Sequence, residues 1–130
     1  MKILYPSMRD EIIQFVREFA DIDFQRRVWM HGGIELGHER STLDGAVHYF
    51  FDDTSIAADP FGQIGLCLTS EAEANAIQRI LKRLDDLLSE VGKNASDMEC
   101  IQHPQWQGVV EAAKTALQIM ERNNPLSPDS

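Results

Sequence analysis

The sequence predicts an all-α fold, a compact bundle of about five helices. Three apolar stripes of helical period carry that prediction. Met8, Ile12, Ile13, Val16, Phe19 and Ala20 form the first, and Ile77, Ile80, Leu81, Leu84, Leu87, Leu88 and Val91 form the longest. Trp106, Val109, Val110, Ala113, Leu117 and Met120 form the third. The chain has 130 residues, 43% hydrophobic and 25% charged, which is the composition of one globular domain rather than a disordered chain. Residues 1–122 are expected to make that domain. The tail 123–130, NNPLSPDS, has two prolines and no periodicity, and is expected to fray.

Taken in order, Pro6 and Ser7 open the first helix. Ser7 with Asp10 fits a capping box, and Asp10 and Glu11 are expected in the first turn, where the helix dipole favours anions. Asp21 is expected to cap a short helix from Ile22 to about Met30, stopped by His31-Gly32-Gly33. Residues 31–42 read as a polar loop. The segment LDGAVHYFFDD over 43–53 fits two templates. Leu43, Ala46, Val47, Phe50 and Phe51 match a helix, with Asp44 as a candidate cap. Val47, Tyr49 and Phe51 also alternate, as do Ile64, Leu66 and Leu68. The alternative fold is therefore α+β, with a hairpin at 46–51 and 63–69. The helix is favoured because more positions match it.

Ser70 and Glu73 form a capping box at the start of the long stripe, and Gly92 ends it. This helix, 71–91, is expected to pair at the centre of the fold with a helix over 105–121. Between them Ser96 caps a short turn through Ile101, which His103-Pro104 breaks because proline disfavours helix in the residue before it.

Charge is distributed unevenly. The formal net charge is −9, yet residues 1–34 hold five acids and five bases. Residues 35–62 carry six acids (Glu35, Glu39, Asp44, Asp52, Asp53, Asp59) against the single base Arg40. Tyr49, Phe50, Phe51 and Phe61 lie in the same stretch. Acidic and aromatic side chains together suit a basic protein partner, and the sign argues against nucleic acid. Glu35, Glu39, Asp52, Asp53 and Asp59 are the expected partner-binding acids, with Tyr49 and Phe61 as anchors.

Catalytic signatures are weak. Cys67 and Cys100 match neither a zinc pattern nor a C-x-x-C, and read as small buried hydrophobes in a reducing compartment. Phosphate loops and G-x-S-x-G are absent from the sequence. His48 and Asp52, four apart, share a helix face. With Asp53, and His31 or His38, they form the alternative reading, a metal-assisted hydrolase. A non-catalytic oligomeric scaffold is a third. The favoured expectation is a non-enzyme with no cofactor and no resident metal. The opening MKILYPSMRDE has too short an apolar run for a signal peptide, and no apolar stretch approaches the ~20 residues of a membrane helix. The expected compartment is the cytoplasm.

Several strings together carry a resemblance: YPSMRDEIIQFV, DFQRRVWM, VHYFFDDT, DPFGQIG, the helix start EAEANAI, and HPQW-x-x-VV-x-AA. The chain resembles, over about residues 5–120, a family of small acidic bacterial proteins of largely unknown function. That family includes immunity-type proteins of contact-dependent growth inhibition and polymorphic toxin systems. The resemblance implies a cognate toxin as partner, expected to be a basic nuclease domain. It brings no set of functional residues with it.

Overall fold

A computed structural model describes residues 2–92 and 94–123. Six α-helices form among them: α1 (Pro6–Ala20), α2 (Ile22–Arg27), α3 (Leu43–His48), α4 (Glu71–Val91), α5 (Asp97–Gln102) and α6 (Trp106–Arg122). A single π turn (Tyr49–Asp53) continues α3, and short 3-10 turns span Trp29–His31 and Phe61–Gln63. The polar loop folds into a minute antiparallel hairpin, β1 (Ile34–Glu35) with β2 (His38–Glu39). The helical bundle expected from the stripes is the observed architecture, with one helix more than the five anticipated. The expected frayed segment beyond Asn123 lies outside the described residues.

Helix α6 packs against α4 on one side and α1 on the other, so the anticipated central pair gains a third member. The three stripes meet in one buried cluster with Phe50, Leu68, Trp29 and Trp106. The two indoles stand edge to face, with centroids 6.4 Å apart. Each indole N–H has a partner. Trp106 donates to Gln25 Oε1 at 2.9 Å, and Trp29 donates to Ser41 Oγ at 2.8 Å. The Ser41 hydroxyl passes the chain on to Glu18 at 2.6 Å. Buried polar groups satisfied in this way fix the orientation of large rings in the core.

Helix starts depart from expectation in instructive ways. Helix α1 begins at Pro6, with Tyr5 as N-cap and no side-chain cap, so Ser7 and Asp10 form no capping box. Proline at the first position lacks one of the N–H groups that a helix start otherwise leaves unpaired. Asp10 and Glu11 consequently fall in the second turn. Asp21 does cap α2, accepting from Phe24 N at 3.0 Å, but α2 ends at Arg27. Thr42, rather than Asp44, caps α3, its hydroxyl accepting from Gly45 N at 2.9 Å. The reciprocal capping box occurs at Ser96 and Glu99, at 3.1 and 2.8 Å.

The alternative hairpin at 46–51 and 63–69 does not form. Leu43, Ala46 and Phe50 are the buried residues of the first segment, a helical spacing, so the helical pattern wins. Residues 63–68 instead make a tight turn in which Cys67 N and Leu68 N both donate to Gln63 O, at 3.0 and 3.1 Å. That turn receives the extended N-terminal strand of chain, with Leu4 N donating to Gly65 O at 3.1 Å and Tyr5 N to Leu66 O at 2.7 Å.

At Ser70 only half of the capping box is made. The hydroxyl accepts from Glu73 N at 3.3 Å, but the Glu73 carboxylate turns inward. It accepts two hydrogen bonds from Arg9, at 2.7 and 2.8 Å, and one from Thr69 N at 2.7 Å. Arg9 is 3% exposed and Glu73 is 0% exposed. Arg9 also donates to Cys67 O and Met120 O, at 3.2 and 3.3 Å, and Asn123 Nδ2 donates to Glu73 at 3.2 Å. One buried pair thus joins α1, the 63–68 turn, the start of α4 and the end of α6. Burial pushes the Glu73 carboxyl up, and the hydrogen bonds from Arg9 and Thr69 outweigh it, leaving the group below its ordinary 4.5.

Arg9→Met or Glu73→Gln alone is expected to destabilise the fold by about 3–5 kcal/mol in urea titration, because each leaves its partner buried without its match. Replacing both by apolar residues of similar size recovers most of that loss. Because the folded-state value of Glu73 is depressed, its contribution is complete above the unfolded value near 4.5 and is lost as pH falls through the folded one. The hairpin tip gives a second expectation. Leu36 has φ 54° and is 92% exposed. Leu36→Asn should raise stability by about 1 kcal/mol, since asparagine tolerates the left-handed region and leucine does not.

Candidate functional site

Helix α3 and its π turn place Asp44, His48 and Asp52 at successive steps of four along one exposed face. The His48 ring bridges the two acids. Its Nδ1 lies 2.6 Å from Asp52 Oδ2 and its Nε2 lies 3.6 Å from Asp44 Oδ2. The hydrogen bond with Asp52 and the charge of Asp44 raise the imidazole above its ordinary 6.5, with Asp53 adding to the effect. Asp53 is exposed beside them. On α5, Asp97 extends the row, accepting from Leu43 N at 3.1 Å. Burial, with a lesser contribution from the nearby Asp44, pushes its carboxyl up against the backbone hydrogen bonds that hold it down.

Beneath the row the same segment is tied to the core. The Tyr49 hydroxyl donates to Glu11 Oε1 at 3.0 Å, and its ring packs on Phe15 with centroids 4.7 Å apart. Burial, then Glu11, pushes this phenol far above its ordinary range. Tyr49 is therefore a half-buried strut between α1 and the π turn.

An open cleft of about 420 Å³ lies beside the row. Phe51, Ala57, Ala58 and Pro60 form one wall, and Gln78, Leu81, Lys82 and Asp85 of α4 form the other. Exposed carboxylates neighbour its lining residues in the chain. Asp52 and Asp53 follow Phe51, Asp59 precedes Pro60, and Asp85 lines the α4 wall. The cation on that wall, Lys82, is matched by Asp86 at 2.9 Å. Phe61, 40% exposed, follows Pro60. A larger hollow of about 680 Å³ between α4 and α6 has charged and polar walls that include Arg83, Asp86 and Glu90. A Cβ at Gly108 would fall 2.8 Å from the Arg83 guanidinium, so this arginine packs against α6 at Gly108. The smaller cleft, with its apolar floor, is the better binding geometry.

The seven expected partner-binding residues divide. Asp52 and Asp53 stand in the acidic row, and Asp59 and Phe61 stand on the turn next to it. Asp59 also accepts from Gly62 N at 3.0 Å, so it holds the turn as well as the charge. Tyr49 is committed to Glu11. Glu35 belongs to the hairpin, where Arg27 and Arg40 match its charge at 2.9 and 2.8 Å. The Glu39 side chain lies outside what the structure describes. Asp44, Asp85 and Phe51 were not singled out as partner-binding from sequence. The i, i+4 spacing of Asp44 and His48 was the available signal for the first. Asp85 joins the site only because α4 happens to flank the 51–60 segment.

The residues of the hydrolase alternative meet differently from a ligand set. The two His48 nitrogens face two different carboxylates on opposite sides of the ring. Among the described residues no three His, Cys, Asp or Glu side chains gather as a metal-binding group. His31 and His38 are exposed on the 3-10 turn and the hairpin. Both cysteines are buried, and burial pushes the Cys67 thiol up to about 11. That makes it a poor nucleophile near neutrality.

NMR titration of His48 should give a midpoint above 6.5, and Asp52→Asn should move it down. With a raised folded value, the ring's contribution to stability is complete below about 6.5 and fades as pH rises through the folded midpoint. A wild-type midpoint at or below 6.5 contradicts the clamp.

No helix among the described residues is long and apolar enough to cross a membrane. Neither the curated proteins nor the solved structures give a significant match to the chain. A sequence-family profile does match it, over residues 3–128, and that profile is described as a domain of unknown function. The chain belongs to this family, DUF7945.

Proposed function

We propose that this protein is a cytoplasmic immunity-type protein that binds and neutralises a cognate basic toxin. The toxin is expected to be a nuclease domain of the kind delivered in contact-dependent growth inhibition. The observation that carries the reading is the exposed row Asp44, Asp52 and Asp53, continued by Asp59 and Asp85 around an apolar cleft. Like charges held this close repel one another and weaken the fold unless a partner compensates them. An acidic face accelerates encounter with a basic protein, and apolar contacts then slow release. Blocking a toxin's active site requires a complementary surface and no chemistry of its own, which suits a molecule whose cysteines are buried and whose His48 is held between two acids. The hydrolase reading draws less support, because His48 is oriented by two separate acids rather than presented with them to a common point.

Reversal of Asp52 and Asp53 to Lys tests the reading. Stopped-flow association with the cognate toxin should slow roughly tenfold at low salt, and the dependence of the rate on ionic strength should flatten. Cells expressing the reversed variant should lose protection. Unchanged association and full protection would remove the acidic row from the interface.

A further inference from the structure

The cleft beside the acidic row has a direction. Gln78, Leu81, Lys82 and Asp85 lie at i, i+3, i+4 and i+7 on α4, so this wall runs along about two helical turns, roughly 10 Å. The facing wall, Phe51, Ala57, Ala58 and Pro60, is wholly apolar. Its backbone offers little to an extended peptide, since Ala57 N already donates to Phe50 O at 3.2 Å and Asp59 N to Ser55 O at 3.0 Å. A cleft two turns long with one apolar wall, lined by Asp85 and with Asp52, Asp53 and Asp59 next to its lining residues in the chain, is the complement of an amphipathic helix with cations beside its apolar stripe. Lys82 does not oppose such a ligand, because Asp86 holds it at 2.9 Å.

The geometry points to a cationic amphipathic helix of the partner as the occupant of this groove. Its aliphatic side chains sit between Phe51, Pro60 and Leu81, and its flanking Lys or Arg side chains meet the four aspartates. This rests on the proposed binding of a basic protein and adds which element that protein presents. An organic anion is disfavoured by the same carboxylates, and a cation without apolar surface leaves the floor unused.

The test uses the whole protein and two synthetic peptides of identical Lys/Leu composition. Both are ~14 residues long, enough for helix to form on binding. In one the leucines recur at i, i+4 and i+7, and in the other they are scattered around the helix. Titration followed by amide NMR should show the amphipathic peptide shifting Phe51, Ala57, Ala58 and the 78–85 stretch. It should bind roughly tenfold more tightly than its scattered counterpart. Ala58→Trp and, on the opposite wall, Gln78→Trp should each weaken it roughly tenfold, with thermal melts confirming that the variants fold. Equal affinity for both peptides, shifts elsewhere on the molecule, or indifference to both tryptophans overturns the groove. If the two peptides bind equally and reversal of Asp52 and Asp53 weakens both, the groove falls while the acidic face stands. If that reversal also changes nothing, both fall.

Discussion

The buried pair of Arg9 and Glu73 is the constraint on which the rest of the structure depends. Removing two charges from water is strongly unfavourable, and their attraction offsets that only when every remaining donor and acceptor is well placed. Here the carboxylate accepts from Arg9 twice and from Thr69 and Asn123 once each, and the guanidinium reaches two backbone carbonyls besides, leaving only its Nε buried without a partner. Such a network tolerates little sliding. It sets where the start of α1 sits against the start of α4 and the end of α6. The hydrophobic stripes alone would allow neighbouring registers of similar burial, since aliphatic faces interdigitate in more than one way. A bidentate ion pair has one.

That register is passed to the acidic face through aromatic rings. Once α1 is fixed, Phe15 and Phe19 are fixed with it, and Phe50 and Tyr49 pack on them. The Tyr49–Glu11 hydrogen bond pins the π turn to α1, and the Asp97–Leu43 hydrogen bond pins the start of α3 to α5. Between those two ties lie Asp44 and His48, and Asp52 follows within the same π turn. The core sets their alignment from below, and His48 adds to it by bridging the two acids, relieving part of their repulsion when protonated.

The apolar periodicity made α1, α4 and α6 legible in the sequence, because each presents a stripe long enough to outweigh local propensities. The segment 43–53 was ambiguous for the opposite reason, since β-branched and aromatic residues over a short run satisfy both periods. What settles it is the burial of Leu43, Ala46 and Phe50, which depends on α1 being alongside. The Arg9–Glu73 pair left a trace that went unread. Arg9 stands at i−3, i−4 and i−7 from Ile12, Ile13 and Val16, and Glu73 stands at i−4 and i−7 from Ile77 and Ile80. Each charge thus occupies a core position of its own stripe. Two opposite charges at such positions, 64 residues apart, are a signal for a buried pair. The acidic face was legible only as a composition, because Glu35 and Asp52 look alike in sequence. Only the fold places Arg27 and Arg40 on Glu35 and leaves Asp52 and Asp53 to the solvent.

The division between buried and exposed polar groups also bears on the proposed docking face. Among the described residues the deeply buried polar side chains, Arg9, Glu73, Gln25, Glu18 and Gln63, bind one another or neighbouring elements and hold the core, with Arg9 Nε left unpartnered. The carboxylates of the acidic row stand in water at the rim of an apolar groove. Charges in that setting act over a screening length of about 8 Å at physiological salt, long enough to orient an approaching cationic surface. Desolvation would strengthen them only when a partner covers the groove, so the field of this face reaches full effect in a complex rather than in the isolated molecule.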